Sequence, residues 1–329
     1  MTEEKKRLII IDSNSIIHRA FHALPPLSTK SGEVVGAVYG FLLVFLKALR
    51  ELQPDYIVAT FDLPAPTFRH KAFKEYKATR PPTPEGIRQQ IPKIKEILKV
   101  FNVPVLEKEG YEADDLIGTI ANLAGQNRKA EVDELRSSSR RRDGRGNLFL
   151  RPSSLFANAR VIETIILSGD NDCFQLVDSQ TKVYFLRKGV KDTFLYDENS
   201  VKEKYQGLTP EKLVDFKALK GDASDNIPGV KGIGEKTAIG LILKFGSIEN
   251  LYQEINKISE KSAEIPQRIK EILIKYKEQA FLSKRLVQIE KSAPINFDLE
   301  LCVWKNYDKE KVIEIFEKLE FKSLINRLP

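Results

Sequence analysis

RLIIID, residues 7–12, is an apolar run closed by an aspartate, and the pattern returns in DYIVATFD at 55–62 and ETIILSGD at 163–170. Each run is short and apolar without alternation, as expected of a strand buried on both faces. KVYFL at 182–186 predicts a fourth strand. Helical patterns lie between them: 34–52, a region from Pro84 to about 101, and a helix from Glu112 to about Ala124. Pro84 suits a first helical turn, whereas Pro92 predicts a kink or split. Strands alternating with helices imply an α/β fold, with a largely parallel twisted sheet flanked by helices.

After about Tyr205 helices follow one another, at 209–220, 235–245, 247–257, 265–290 and 308–319. The expected organisation is an α/β domain over 1–206 and a helical domain over 207–329. A length of 329 residues suits two domains, and 42% hydrophobic residues suffice for a sizeable core. No apolar run reaches eighteen residues, which argues against a transmembrane helix. The N-terminus lacks the pattern of a signal peptide. Cys173 and Cys302 show no paired spacing, so neither a disulfide framework nor a cysteine-based zinc site is expected. His18 and His22, four apart, have no third ligand nearby. A cytoplasmic protein with no membrane partner is the expectation.

The net charge is +7, but residues 126–160 alone carry eight Arg and one Lys against four acids. The excess of +5 there leaves +2 for the rest, so arguments about nucleic acid must rest on local patches. This Arg/Ser-rich stretch predicts a solvated loop without packed structure, long for a connection inside a domain.

The aspartates at the strand ends carry the chemistry. In open α/β sheets the ligand site lies beyond the carboxyl ends of the strands. Asp12, Asp62 and Asp170 are therefore expected in one cleft, although aspartate also commonly opens turns. GYEADD adds Glu112, Asp114 and Asp115 at a helix start, where acids also complement the helix dipole. Asp172 lies two residues past Asp170, and GDASDN adds Asp222 and Asp225. Nine converging acids would hold several protons unless cations neutralise them. Mg²⁺ suits such a set, since it binds through few carboxylates and keeps waters. Two such ions can activate a water and steady the leaving oxygen of a phosphodiester.

Residues 66–99 carry nine Lys/Arg against three acids. Arg69, Lys71, Lys74, Lys77 and Arg80 alternate there with Phe68, Phe73 and Tyr76. Cations for phosphates and rings for bases suit a single strand, although a charged helix with core-facing aromatics is the plainer alternative. PGVKGIGEKTA at 228–238 places Gly229, Gly232 and Gly234 in a tight hairpin, with Lys236 and Thr237 opening a helix. Close glycines and free helix N–H groups suit duplex phosphates without reading sequence.

Taken together, these stretches resemble the 5′-nuclease (5′–3′ exonuclease) module of bacterial DNA polymerase I, in the flap endonuclease superfamily. The resemblance rests on IIIDSNSIIHRAFHALPPL, GAVYGFLLVFLKAL, VATFDLPAPTFRHKAFKEYKATRPPTPEGI, GYEADDLIGTIA, SGDNDCFQLV and LKGDASDNIPGVKGIGEKTA. It covers nearly the whole chain except about 126–160. It implies a PIN-like nuclease domain followed by a helical domain with a helix–hairpin–helix. By resemblance, all nine acids are metal carboxylates, and Lys77 and Arg80 are the basic pair at the base of a helical arch, acting on the scissile phosphate. The same resemblance implies that Mn²⁺ can replace Mg²⁺ and that the hairpin can hold K⁺. Cys173-Phe174 departs from the family's commoner apolar pair after the second aspartate.

The expected function is a Mg²⁺-dependent, structure-specific 5′ nuclease acting on 5′ flaps and on nicked or forked DNA in replication and repair. A monomer working with a DNA polymerase is expected, and backbone contacts leave RNA primers open as substrates. The rival readings are a catalytically weak DNA-binding relative, which would have lost metal acids, and a PIN-like RNA endonuclease, which needs no glycine hairpin.

Overall fold

In the computed structural model, residues 5–138, 140–142, 148–150, 162–255, 265–304 and 307–329 are described. β1 (Lys6–Asp12) runs straight into α1 (Ser13–Ala23), because Asp12 both ends the strand and caps the helix, its carboxylate accepting the Ser15 N–H. α1 was not expected from the sequence. α2 (Gly36–Leu52) and β2 (Tyr56–Thr60) follow. The basic segment forms a short α3 (Phe68–Ala72), then α4 (Glu85–Arg88) and α5 (Ile91–Val100). Pro92 sits in the first turn of α5, so the region breaks into two helices. β3 (Val105–Leu106) leads to α6 (Ala113–Ser138), and β4 (Arg140–Arg142) pairs antiparallel with β5 (Leu148–Leu150).

Two expectations are corrected here. α6 does not end near Ala124, because residues 125–138 contain no proline and several strong helix formers. The Arg-rich run is not all loop, since Arg140–Arg142 lies in a strand pair. Residues 139, 143–147 and 151–161 of that stretch lie outside the described residues.

β6 (Ile162–Ser168), β7 (Thr181–Lys188) and β8 (Asp192–Tyr196) complete the main sheet, in the order β3-β2-β1-β6-β7-β8. All neighbours are parallel except β7 and β8. β1 is buried on both faces: Leu8 and Ile10 point to one, Ile9 and Ile11 to the other. The second face is covered by α1, α2 and α5, the first by α6 and the helical region.

That region comprises α7 (Glu198–Lys204), α8 (Leu213–Lys220), α9 (Glu235–Phe245), α10 (Ile248–Glu254), α11 (Gln267–Lys275) and α12 (Lys277–Val287). The single helix read at 265–290 is two, divided at Tyr276. α13 (Lys309–Lys318) and α14 (Lys322–Ile325) leave it for the opposite face, where Val312, Phe316, Leu319, Phe321 and Leu324 join the α2–α5 core. Among the described residues, no helix is long and apolar enough to cross a membrane.

Candidate active site

Chain order reverses between β1 and β6, which opens a crevice beyond their carboxyl ends. Asp12 lies there at the end of β1, only 4% exposed. Ser168, the last residue of β6, donates to Asp12 Oδ2 (2.5 Å) and accepts the Asp170 N–H (2.9 Å). Ser15 on α1 accepts the Gly169 N–H (2.6 Å), so two hydroxyls fix the loop that carries Asp170. Asp62, just past β2, accepts the Ala113 N–H (2.7 Å) at the start of α6. This contact sets Asp114 against the strand ends.

A cleft of about 610 Å³ is lined by Asp12, Asp62, Glu112, Asp114, Asp170, Asp172 and Asp225, with Lys77 and Arg80 on its wall. Carboxylate oxygens of Asp12 and Asp114 and the Cys173 sulfur lie within 4.8 Å of one another. Burial, then the charges of Asp170 and Asp62, raise the Asp12 carboxyl to about 7 against the pull of Ser168. Burial and then the charge of Asp12 push Asp114 well above the usual carboxylate range. Burial also pushes up the Cys173 thiol, which sits 3.8 Å from Asp114 Oδ1. A neutral thiol leaves the oxygen donors in charge of the site, and these fit a hard divalent cation.

Glu112 and Asp225 already have cations. Lys77 Nζ lies 2.8 Å from Glu112 Oε1 and 3.9 Å from Asp225 Oδ2. Burial would lower the Lys77 ammonium, but Glu112 and Asp225 outweigh it and hold the group above its usual value. Arg80 pairs with Asp225 and donates from Nε to the Ser224 carbonyl (3.1 Å). Lys77 stands at φ +56°, its N–H on the Asp225 carbonyl (2.9 Å), which locks the basic segment to the helical region.

Four expected site residues are engaged in internal contacts, although Arg69 and Tyr76 still border the cleft. Asp115 is fully buried, and both its oxygens accept Arg69 guanidinium hydrogen bonds at 2.7 Å. It also accepts the N–H groups of Glu112 (3.0 Å) and Glu290 (2.9 Å), so no oxygen faces the cleft. Arg69, expected on DNA, is 3% exposed and spent on this clamp. Tyr76 is buried too, its hydroxyl donating to Glu112 (3.0 Å) and reaching Asp225 (3.2 Å). Gly229 is packed against Gly221: at φ +60°, an added Cβ would lie 2.2 Å from the Gly221 nitrogen. Lys71 and Lys74 remain exposed.

Gly232 (φ +97°) and Gly234 are exposed in the hairpin between α8 and α9, and a Cβ at Gly234 would meet nothing within 4 Å. Lys236 is exposed and Thr237 half-buried in the first turn of α9, beside free backbone N–H groups. Lys217 on α8, not singled out from the sequence, bonds Asp172 and lies 2.8 Å from Asp222 Oδ2. Desolvation alone would raise Asp222, but Lys217 and Ser224 pull it down to about 2. Asp222 lines a groove beside the main cleft, with Asp170 and Asp172.

Residues 7–135 match the family described as "5'-3' exonuclease, N-terminal resolvase-like domain", and residues 208–310 match "5'-3' exonuclease, C-terminal SAM fold". DNA polymerase I of Bacillus subtilis (strain 168) is 40% identical over 325 residues, 99% of this chain and 32% of that protein. The thermostable DNA polymerase I of Thermus filiformis is 36% identical over 326 residues, 99% of this chain and 34% of that protein. The chain thus spans about a third of the length of these curated relatives. T5 5′-exonuclease with bound zinc shares the fold at a TM-score of 0.62 and 18% identity, over 95% of this chain and 99% of that one. The catalytic core of Rad2 in complex with DNA substrate does so at 0.59 and 17%, over 99% and 94%. Matched in both halves and related in sequence along nearly its whole length, the chain belongs to the 5′–3′ exonuclease family.

Proposed function

We propose that the chain is a Mg²⁺-dependent, structure-specific 5′ nuclease that hydrolyses DNA phosphodiesters at single-strand/duplex junctions. The observation that carries this reading is the cleft at the sheet's switch point, where Asp12 and Asp114 approach closely and both carboxyls are raised. Such mutual repulsion is relieved by bound cations. T5 5′-exonuclease, with bound divalent zinc, and the Rad2 core, in complex with DNA, share this fold and support the assignment.

Asp12, Asp62, Asp114 and Asp170 would hold the ions, with Asp172 and Asp222 toward a second position. Bound divalent ions supply an activated water and charge neutralisation at the leaving oxygen. Ser168 keeps the Asp12 carboxylate turned into the cleft. Lys77 and Arg80 present fixed positive charge where charge develops on the scissile phosphate, with Glu112 and Asp225 orienting them. The duplex would rest on Gly232, Gly234, Lys236 and Thr237, while Lys71 and Lys74 meet the free 5′ strand. The substrate class is 5′ flaps and nicked or forked duplex, with RNA primers as a side substrate and a DNA polymerase as working partner.

The test is cleavage of labelled 5′-flap, nicked and blunt duplexes, with Mg²⁺ and with EDTA. Flap cleavage should require Mg²⁺ and vanish in Asp62→Ala, while flap binding survives. Equal cutting of blunt and flapped duplexes, or full activity in EDTA, would overturn the reading.

A further inference from the structure

We propose that Lys217 is a built-in cation that reserves the second ion position, so that a divalent ion gains Asp172 and Asp222 only by displacing its ammonium. The inference rests on the metal-nuclease reading above and concerns how its ions load.

The geometry separates two kinds of acid. Lys77 and Arg80 pair with Glu112 and Asp225, and the single Lys217 is shared by Asp172 and Asp222. Asp12, Asp62, Asp114 and Asp170 have only hydroxyl, thiol or backbone N–H contacts among the described residues. An external cation is therefore needed first at the switch point. At the second position the negative charge is already halved by a lysine 16% exposed, between carboxylates 19% and 17% exposed.

The fold builds this bridge. α8 ends at Lys220, and Gly221 turns the chain at φ +81° with its N–H on the Lys217 carbonyl (2.7 Å). The turn returns Asp222 over the Lys217 side chain, while Asp172 arrives from the loop after β6. Lys220 instead points to Glu235, its ammonium 2.8 Å from Oε2. A groove of about 520 Å³, lined by Lys204, Lys217, Lys220 and Glu235 among others, gives a displaced ammonium room beside the acids. Release would also leave Lys217 free to meet a substrate phosphate along that groove. Full ion loading would then be coupled to substrate arrival, because a phosphate would supply a new partner for Lys217.

Free Mn²⁺ measured by electron paramagnetic resonance, without DNA, reads this directly. Wild type should bind one ion tightly and a second weakly. Lys217→Met, with Lys217→Gln as the second variant, should tighten the second constant at least about tenfold and leave the first within about twofold. Lys217→Arg should behave as wild type. Adding Asp222→Asn to Lys217→Met should undo the gain, which marks the two residues as coupled. An unchanged or weaker second constant in a folded Lys217→Met or Lys217→Gln chain, checked by circular dichroism, would overturn the role of Lys217. Absence of any tight Mn²⁺ site in wild type would instead overturn the metal-nuclease reading on which it stands.

Discussion

Replacing Asp115 by asparagine should cost the fold far more than the same change at its neighbour Asp114. Asp115 accepts two guanidinium hydrogen bonds at 2.7 Å and two backbone N–H groups, and nothing of it reaches solvent. Arg69, which also bonds the carbonyls of Leu286 (2.9 Å) and Gln288 (2.8 Å), would keep its charge in the interior with only Glu112, 3.5 Å away and shared with Lys77, as counterion. Removing one partner of such a buried pair costs about 3–5 kcal/mol. At roughly 2 °C per kcal/mol for a chain of this size, Tm should fall by about 6–10 °C. Asp114→Asn removes a carboxyl that Asp12, Asp170 and Asp172 repel, so the metal-free chain should hold or gain stability while losing cleavage. Thermal unfolding of both variants in EDTA at pH 7.5 decides the matter. A Tm for Asp115→Asn within about 2 °C of wild type, or an equal loss for Asp114→Asn, would refute the division into a structural and a metal-facing acid.

Three further outcomes follow from the same geometry. Folded Asp12 keeps its proton to about 7 instead of the usual 3.8, so the folded state binds more protons than the unfolded across that interval. Stability should therefore fall as pH rises; the metal-free Tm should be higher at pH 5 than at pH 7.5, Mg²⁺ should restore more at pH 7.5, and a slope of opposite sign would count against the cluster. Gly229→Ala should lower Tm markedly, since its Cβ meets backbone at 2.2 Å, whereas Gly234→Ala should leave Tm unchanged and affect only duplex affinity; equal thermal shifts would refute the contrast. Lys77→Ala should slow single-turnover cleavage more than it weakens binding, whereas Lys236→Ala should weaken duplex binding and reduce its salt slope by about one contact; fluorescence anisotropy across a salt series separates them.

The parts of this molecule that were legible in its sequence are those in which one physical demand acts on consecutive residues. Leu8 to Ile11 face two cores in alternation, so the strand had to read as unbroken apolar sequence. The aspartates mark where each strand leaves the sheet on the side of the crevice. Residues whose surroundings come from distant segments were not legible. Arg69 looked like one cation among several beside aromatics; its partner lies 46 positions away, and burial of that pair leaves no local period. Lys217 resembled any solvated helix lysine, and only the return of the chain at Gly221 brings Asp222 to it. Gly229 and Gly234 share one motif, yet the first serves a backbone-to-backbone contact and the second an open surface. α1 was hidden because Asp12, already used as a strand end, is also its cap.

The return of α13 and α14 to the α2–α5 face bears on how the polypeptide acquires its structure. Val303 bridges to Tyr56, the Trp304 N–H bonds the Asp55 carbonyl (2.7 Å), and Phe316 completes a core begun by Ile9 and Phe45. These contacts join segments roughly 250 residues or more apart in sequence, so closing them carries a large loop entropy and raises the contact order. During synthesis the outer side of the α2–α5 layer would stay uncovered until α13 and α14 have emerged. A chain ended at residue 206 would keep every strand, lose the cover over Phe45, Leu98 and Phe101, and present that apolar surface to solvent. Such a fragment should aggregate rather than persist as a small nuclease.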